Sequence, residues 1–515
     1  MQGFLQKYGH LVTGVLSGLD RVLFRGTQRM LATACGLMNY LWHHQILLKD
    51  FKEYALALSE QVRRESQAAM EAAGCQYQYL TNSGISKEDL ARGLARERGI
   101  QTGPICLLGA VEPCMSYQVI KDPVRKQLVL APRWRKCLHL YHYRMDEQWG
   151  QVMVRVQTWL PVQVSICING REWLCRSLDR AGIGYVRADN TVVHVADFAR
   201  AQALLTEQFQ EDWGGHLNAL CAQANPGAAQ CLRWQGEPLT YYWSADESEY
   251  ATDLTFRDAQ ALAKIYPQLI RASMLGMSCE QVLRFLGKTR KYEGELLSDL
   301  RRGPEGVRVK FWAGRNSLKM YDKAGGRVLR TETTINDCAD FRVYRGTEQQ
   351  PEKKKHRRLR KGVADMHRRA EVSHRANARF LEHLSTVETD QTLEELLLPL
   401  ARRITRKGKA YRGLRVLAAD DGALLAAVAR GEHAVNGFRN ANIRQVLFGP
   451  DPANVQERRW RAGRVTRLLG LLHAHGVIAK VSRTRRWILT AKGQRITMLL
   501  GAAKHAKTNE LLKAA

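Results

Sequence analysis

Acidic residues are scarce in this chain: 50 Asp and Glu stand against 79 Lys and Arg over 515 residues, a formal net charge of +29 at pH 7. A deficit of that size is the electrostatic footprint of a polyanionic partner, with nucleic acid ahead of an anionic membrane surface. Long apolar runs are also missing: no 18 consecutive apolar residues occur, which excludes a helical membrane span. The opening MQGFLQKYGHLVTGVLSGLDRVLF is broken by Asp20 and Arg21 and lacks a small-residue cleavage site, so it does not read as a signal peptide. The 11 cysteines are scattered with no C-x-x-C pair, which fits reduced thiols of a cytoplasmic protein and speaks against a structural zinc site. No P-loop, G-x-S-x-G or Rossmann fingerprint is present, so ATP-driven and serine-hydrolase readings have no support. No fixed-period repeat occurs either.

The periodicity that is present predicts an α+β protein with a mostly antiparallel sheet. Residues 51–74 have helical spacing and end on glycine. SKEDLARGLARERG (86–99) opens with Ser86 as an N-cap and Asp89 three residues on. GPICLLGAV (103–111) reads as a buried strand, and residues 126–168 alternate at period two, as antiparallel strands with one buried face do. Asp197 is placed to cap a helix over 197–213. The pattern is helical over 254–300, then strand-like over 305–335, where the Ala-Gly-Gly at 324–326 predicts a hairpin turn. The expected organisation is an N-terminal α/β region (1–125), an antiparallel-sheet body (126–350), a basic helical connector (351–412) and a C-terminal domain (413–505).

Seven of the nine residues 353–361 are Lys or Arg. This run is either a solvated face or a phosphate-contacting arm in which Lys353, Lys354, Lys355, Arg357 and Arg358 meet nucleic acid. Beyond it, helices at 420–432, 440–448 and 461–478, then two short strands around a basic tip, have the order of a winged helix-turn-helix. Val465, Leu468, Leu469 and Leu472 would face inward, leaving Arg461, Arg464 and Arg467 for a major groove. Arg483, Arg485 and Arg486 would form the wing tip. Residues 414–500 carry 15 Lys and Arg against 5 Asp and Glu, which favours nucleic acid over protein as the partner, DNA ahead of RNA. A homodimer is compatible with such a domain. The linker GPDPANVQERRW is longer than the usual turn.

DRVLFRGT, EPCMSY, TWLPVQ…NGREWL, YATDLTF, NSLKMYDK…LRTETTIN and the C-terminal pattern together resemble a large family of uncharacterised bacterial proteins, often multicopy. That resemblance implies architecture and an association with mobile elements. Locally, K-x-Y-D-K…L-R-x-E (Lys319, Tyr321, Asp322, Lys323, Leu329, Arg330, Glu332) is similar to a hairpin of plasmid and phage rolling-circle replication initiators. That likeness implies Tyr321 as a nucleophile that leaves a covalent phosphotyrosine, with Lys319 and Lys323 offsetting phosphate charge. The alternative is an edge aromatic on a strand. The initiators' His-hydrophobe-His triplet has no counterpart, since His139 and His142 are three apart.

A metal-dependent nuclease or strand-transfer enzyme needs carboxylates from several strands around Mg²⁺. Asp20, Glu112, Asp322 and Glu332 are the candidates as metal ligands and, with Tyr321, as catalytic groups. Glu249 and Asp253 would join them, as an i, i+4 pair if that stretch is helical. Aromatics interleaved with cations (Trp134, Arg135, Tyr141, Tyr143, Arg144, Arg155, Trp159) are either core or a stacking surface for single-stranded bases. Two functions follow: a nucleic-acid-processing protein of a mobile element, such as a replication initiator, nuclease or recombinase, or a non-catalytic regulator or ribonucleoprotein component. The first predicts that the candidate carboxylates converge, and the second that they scatter.

Overall fold

The computed structural model describes residues 1–500 apart from 83, 226–231, 276–295, 304–305, 340, 348, 386–392, 407, 431–437, 482–483, 491, 494–495 and 498–499. The chain is α+β, with two compact units. The larger comprises residues 8–262 and 286–378; the smaller comprises 1–7, 263–285 and 379–515. No helix among the described residues is long and apolar enough to cross a membrane.

The larger unit is organised by one 11-stranded sheet. Its strands are β1 (Val12–Thr27), β2 (Tyr77–Tyr79), β3 (Gly103–Lys121), β4 (Leu128–Asp146), β5 (Gly150–Gln157) and β6 (Val164–Asn169). After the small hairpins β7–β8 (Tyr185–Ala188, Thr191–Val195) and β9–β10 (Arg233–Trp234, Glu237–Pro238), the sheet resumes with β11 (Tyr242–Phe256), β12 (Leu296–Gly303), β13 (Gly306–Ala313), β14 (Asn316–Lys323) and β15 (Val328–Ile335). The order is β12-β13-β14-β15-β11-β1-β6-β5-β4-β3-β2. All neighbours are antiparallel except β2 and β3. The expected boundary at residue 125 therefore falls inside a single sheet.

Local signals act as the sequence predicts. The helix Lys87–Glu97 starts where Ser86 accepts from the Asp89 N–H, and Asp197 caps Phe198–Glu207. Ala324, Gly325 and Gly326 take positive φ between β14 and β15, the turn chemistry that lets two strands fold back. Other expectations are corrected. The segment around Glu249 and Asp253 is strand, not helix, and the helix that follows covers Ala259–Leu275 before β12. Within the expected basic helical connector, residues 355–358 are instead a strand, β17 (Lys355–Arg358), paired with β16 (Arg342–Arg345), and the helix Met366–Ser385 follows. Consecutive charges at 353–358 repel, and an extended chain spaces them further apart than a helix does.

Helices cover the sheet on the β1 side. Gly14 and Gly18 leave room for Phe198 and Leu205, because a Cβ on either would lie under 3 Å from that side chain. The helix Gly170–Arg180 begins against the same strand. A Cβ on Gly170 would stand 2.4 Å from the Leu19 carbonyl oxygen, so only glycine permits that approach. On the opposite face Asn377 is buried, accepting from Thr333 Oγ1 (2.7 Å) and donating to the Tyr250 and Thr331 carbonyls.

In the smaller unit, helices Ala419–Val428, Asn440–Phe448 and Val455–Ala474 precede the hairpin β20–β21 (Ile478–Lys480, Trp487–Leu489), which follows the short pair β18–β19 (Ile404–Arg406, Lys409–Tyr411). Val465, Leu469 and Leu472 are buried as the spacing predicts. The third helix starts six residues before the expected 461, capped by Asn454, whose side chain accepts from the Gln456 N–H. The long linker is thus partly helix.

Candidate active site on the charged face of the sheet

Strand alternation gives β1, β11, β15, β14 and β13 one face that carries charge. Cross-strand partners share a face, so Leu16 and Gly18 align with Asp253 and Ala251, those with Arg330 and Glu332, and those with Tyr321 and Lys319. Asp20, two residues on from Gly18, falls on the same face by alternation, and the register of β1 against β11 slips only beyond Leu19, before Val22. Asp20 then accepts from Arg330 Nη1 at 2.7 Å, although 310 residues separate the two.

Two linked clusters result. In the first, Arg330 is fully buried and forks onto Asp253, Nε to Oδ1 at 2.6 Å and Nη2 to Oδ2 at 2.8 Å. Arg171, at the start of its helix, also meets Asp253 at 3.1 Å. Asn190 donates to Asp20 and accepts from Asn169, whose side chain also caps the helix that carries Arg171. Burial would push the Asp253 carboxyl up, but Arg330 and Arg171 outweigh it and hold it below the usual range. Burial likewise opposes the Arg330 charge, and Asp253 and Asp20 reverse that effect.

The second cluster is wetter. Lys319 Nζ donates to Glu249 Oε1 at 3.0 Å and Glu332 Oε1 at 2.5 Å, and the Tyr321 hydroxyl donates to Glu332 Oε2 at 2.7 Å. Burial, then the negative charge of Glu332, push the Glu249 carboxyl up to about 7 despite Lys319. On Glu332 burial is outweighed by Lys319, which keeps it ionised. Burial and the Glu332 charge hold Tyr321 protonated, well above its ordinary value. Oxygen atoms of Asp20, Glu249 and Glu332 all lie within 4.8 Å of one another.

The sequence-predicted carboxylates therefore divide. Asp20 and Glu332 converge, with Tyr321 beside them. Glu112 does not: it lies on β3, four strands from β1, paired with Lys87 at 3.1 Å and Arg155 at 3.6 Å. Asp322 does not either. Neighbouring residues on a strand face opposite ways, so it points away from Tyr321, and it accepts from the Val307 N–H at 3.2 Å. Glu249 takes the place expected of them, from a strand and not from a helix. Arg171, Asn169 and Asn190 were not foreseen; an Asn-Gly step ahead of a helical pattern was the available signal for Asn169.

The candidate nucleic-acid residues divide as well. Lys353, Lys354 and Lys355 are exposed, with Lys355, Arg357 and Arg358 on β17. Arg464 and Arg467 are exposed on the third helix of the smaller unit. Arg461 is turned inward, bound to Glu457 and to the Phe448 and Pro450 carbonyls, because its helix begins early enough to supply Glu457 one turn before it. Arg485 is exposed and Arg486 half-buried; Arg483 lies outside the described residues. Of the interleaved aromatics, Tyr141, Tyr143 and Trp159 are core, whereas Trp134 is exposed.

A second grouping of ligand type occurs on β3 and β4. The Cys114 and Cys137 thiols are 2.9 Å apart and His139 Nδ1 is 4.0 Å from Cys137 Sγ. Burial, then Arg155, push His139 down to about 4. The guanidiniums of Arg135 and Arg155 act on Cys114, and such charges oppose a divalent cation there. Compared with family models, curated proteins and solved structures, the chain shows no match to any of them.

Proposed function

We propose that this chain is a nucleic-acid-processing protein of a mobile element, a nuclease, replication initiator or strand-transfer enzyme, whose reaction centre is the face formed by Asp20, Glu249, Glu332, Lys319 and Tyr321. One observation carries the reading: three carboxylates from three adjacent strands bring their oxygens within 4.8 Å, on a face where Glu249, Lys319 and Tyr321 keep partial access to solvent. Carboxylate oxygens suit a hard divalent cation such as Mg²⁺. Bound there, the ion would polarise a phosphodiester and steady its attacking and leaving oxygens. The raised Glu249 carboxyl fits this, since a cation relieves the repulsion between two glutamates that one lysine offsets only in part. Lys319, released from its bridge, would meet a phosphate oxygen. Tyr321 orients Glu332 and has in it an acceptor for its own proton. The address would come from the smaller unit, whose three helices followed by a short hairpin have winged-helix order, with Arg464 and Arg467 toward DNA.

The test is incubation of the purified chain with labelled single- and double-stranded DNA and RNA, with and without Mg²⁺, followed by denaturing gels. Metal-dependent products that vanish in Glu332→Gln and Glu249→Gln are expected. Loss of a protein–DNA adduct in Tyr321→Phe would assign Tyr321 the nucleophilic role. Salt-sensitive binding with neither product nor adduct overturns the proposal. That outcome leaves the second reading, a regulator or ribonucleoprotein component. One observation favours this alternative: Arg330 already gives Asp20, and Lys319 already gives Glu249 and Glu332, a protein cation.

A further inference from the structure

β3 and β4 outrun the rest of the sheet. They pair from Gly103–Met145 to Lys121–Leu128, whereas β5 pairs with β4 only over His139–Asp146. Residues 111–138 are therefore a two-stranded ribbon. It is anchored on one side, where Arg135 stacks on Trp159 at 3.8 Å and Ser116 Oγ donates to the Leu160 carbonyl at 2.7 Å. An anchored ribbon keeps a defined shape where an isolated one would be only marginally stable.

The ribbon combines two features. From Met115 to Lys136 it carries Lys121, Arg125, Lys126, Arg133, Arg135 and Lys136, all exposed, against the single acid Asp122. Among these cations stand large apolar side chains in water. Met115 and Trp134 are direct cross-strand partners, 42% and 71% exposed, and Val124 at the tip is 89% exposed. A solvated charged hairpin gives no reason for that tryptophan, because taking so large an apolar surface out of water is favourable. A nucleic-acid duplex does: its phosphates match the cations, its major groove admits a two-stranded ribbon, and an apolar side chain can press between base steps.

We infer that the β3–β4 ribbon is a duplex-binding arm. Met115 and Trp134 meet the bases, Lys136, two residues from Trp134 and so on its face, meets a phosphate beside them, and Lys121, Arg125 and Lys126 toward the tip reach the next stretch of backbone. This surface is distinct from the carboxylate site and from the smaller unit, and it stands whether or not the chain cuts nucleic acid.

The full-length chain is titrated, in EDTA so that no metal chemistry intrudes, into a labelled DNA duplex and its single strand at several salt concentrations, with fluorescence anisotropy as readout. Lys121→Glu/Lys136→Glu is expected to weaken duplex binding at least tenfold and to lower the slope of log K against log salt by about 2, since each phosphate contact contributes about 0.9. Trp134→Ala is expected to weaken duplex binding several-fold with the slope unchanged. These side chains are exposed, so unchanged thermal unfolding verifies the fold of each variant. Unaltered affinity and slope in the charge reversal overturn the inference. Equal loss on single strand and duplex, or loss only on an acidic protein probe, overturns its assignment to a duplex.

Discussion

Two regions of the same sheet carry dense charge and treat it in opposite ways. Around Arg330 each buried charge has a partner of opposite sign: Arg171, Asp253, Arg330 and Asp20 form one set of ion pairs and Glu249, Lys319 and Glu332 a second, across four strands. On the β3–β4 ribbon, from Met115 to Lys136, six cations meet one acid and stay in water. The difference follows from desolvation. A buried ion without a partner costs several kcal/mol, so burial selects balanced sets, whereas an exposed ion is solvated and can wait for an external partner. A net charge of +29 therefore does not distribute evenly. The balanced region is where chemistry on a bound phosphate is proposed, and the unbalanced region is where a polyanion is proposed to dock.

This contrast can be broken by substitutions of graded effect. The largest belongs to Arg330→Met, which leaves Asp20 and Asp253 buried with one cation fewer. A loss of about 3–5 kcal/mol in urea unfolding is expected, and a loss below 1 kcal/mol would mean that the cluster is wetter than its geometry indicates. Lys319→Met comes next, at about 1–3 kcal/mol, as expected for an unsatisfied buried pair. Millimolar Mn²⁺ should restore much of that loss if the two glutamates accept a metal, and restoration by Mn²⁺ absent from Glu332→Gln would locate the ion.

The third prediction concerns pH. The folded Glu249 carboxyl sits at about 7, above its ordinary 4.5, so the folded state holds the extra proton between those values. Its stabilising contribution is complete below about 4.5 and is lost as pH rises through 7, at up to about 1.4 kcal/mol per pH unit. Glu249→Gln should flatten that part of the stability profile. A profile unchanged by the substitution would show that Lys319 neutralises Glu249 throughout. Smallest is Trp134→Ala, expected within about 0.5 kcal/mol of the parent in urea unfolding because the side chain lies in water. A larger loss would assign it a packing role and weaken the ribbon's claim to a partner.

Signals confined to a few residues were legible in the sequence. Ser86, Asp197 and the Ala-Gly-Gly turn act through neighbours within a few positions, and the chain carries their whole context. Asp20, Tyr321 and Glu332 were legible as chemistry-bearing groups on strands. Their neighbours were not. Asp253 is buried because Arg330 lies 77 residues further on and across one strand pair, and no local pattern encodes that. β11 was hardest to read, because Ser248, Thr252, Asp253 and Thr255 are buried polar residues satisfied from other strands and helices, and they blur the alternation that marks a strand. Glu112 and Asp322 show the converse: an acid on a strand is only as interesting as the strand's position and the face on which the acid falls.

The span between Asp20 and Arg330 also sets an order of events during synthesis. β1 leaves the ribosome before its partners β6 and β11, which follow far later in the chain, and the guanidinium that neutralises Asp20 comes 310 residues after it. Loops that long close slowly. A nascent chain therefore carries an unpaired central strand and an uncompensated carboxylate until most of the protein exists. The reaction centre proposed here is assembled only when the sheet closes, so a product ending before β15 would lack both Arg330 and Glu332 and with them the proposed centre.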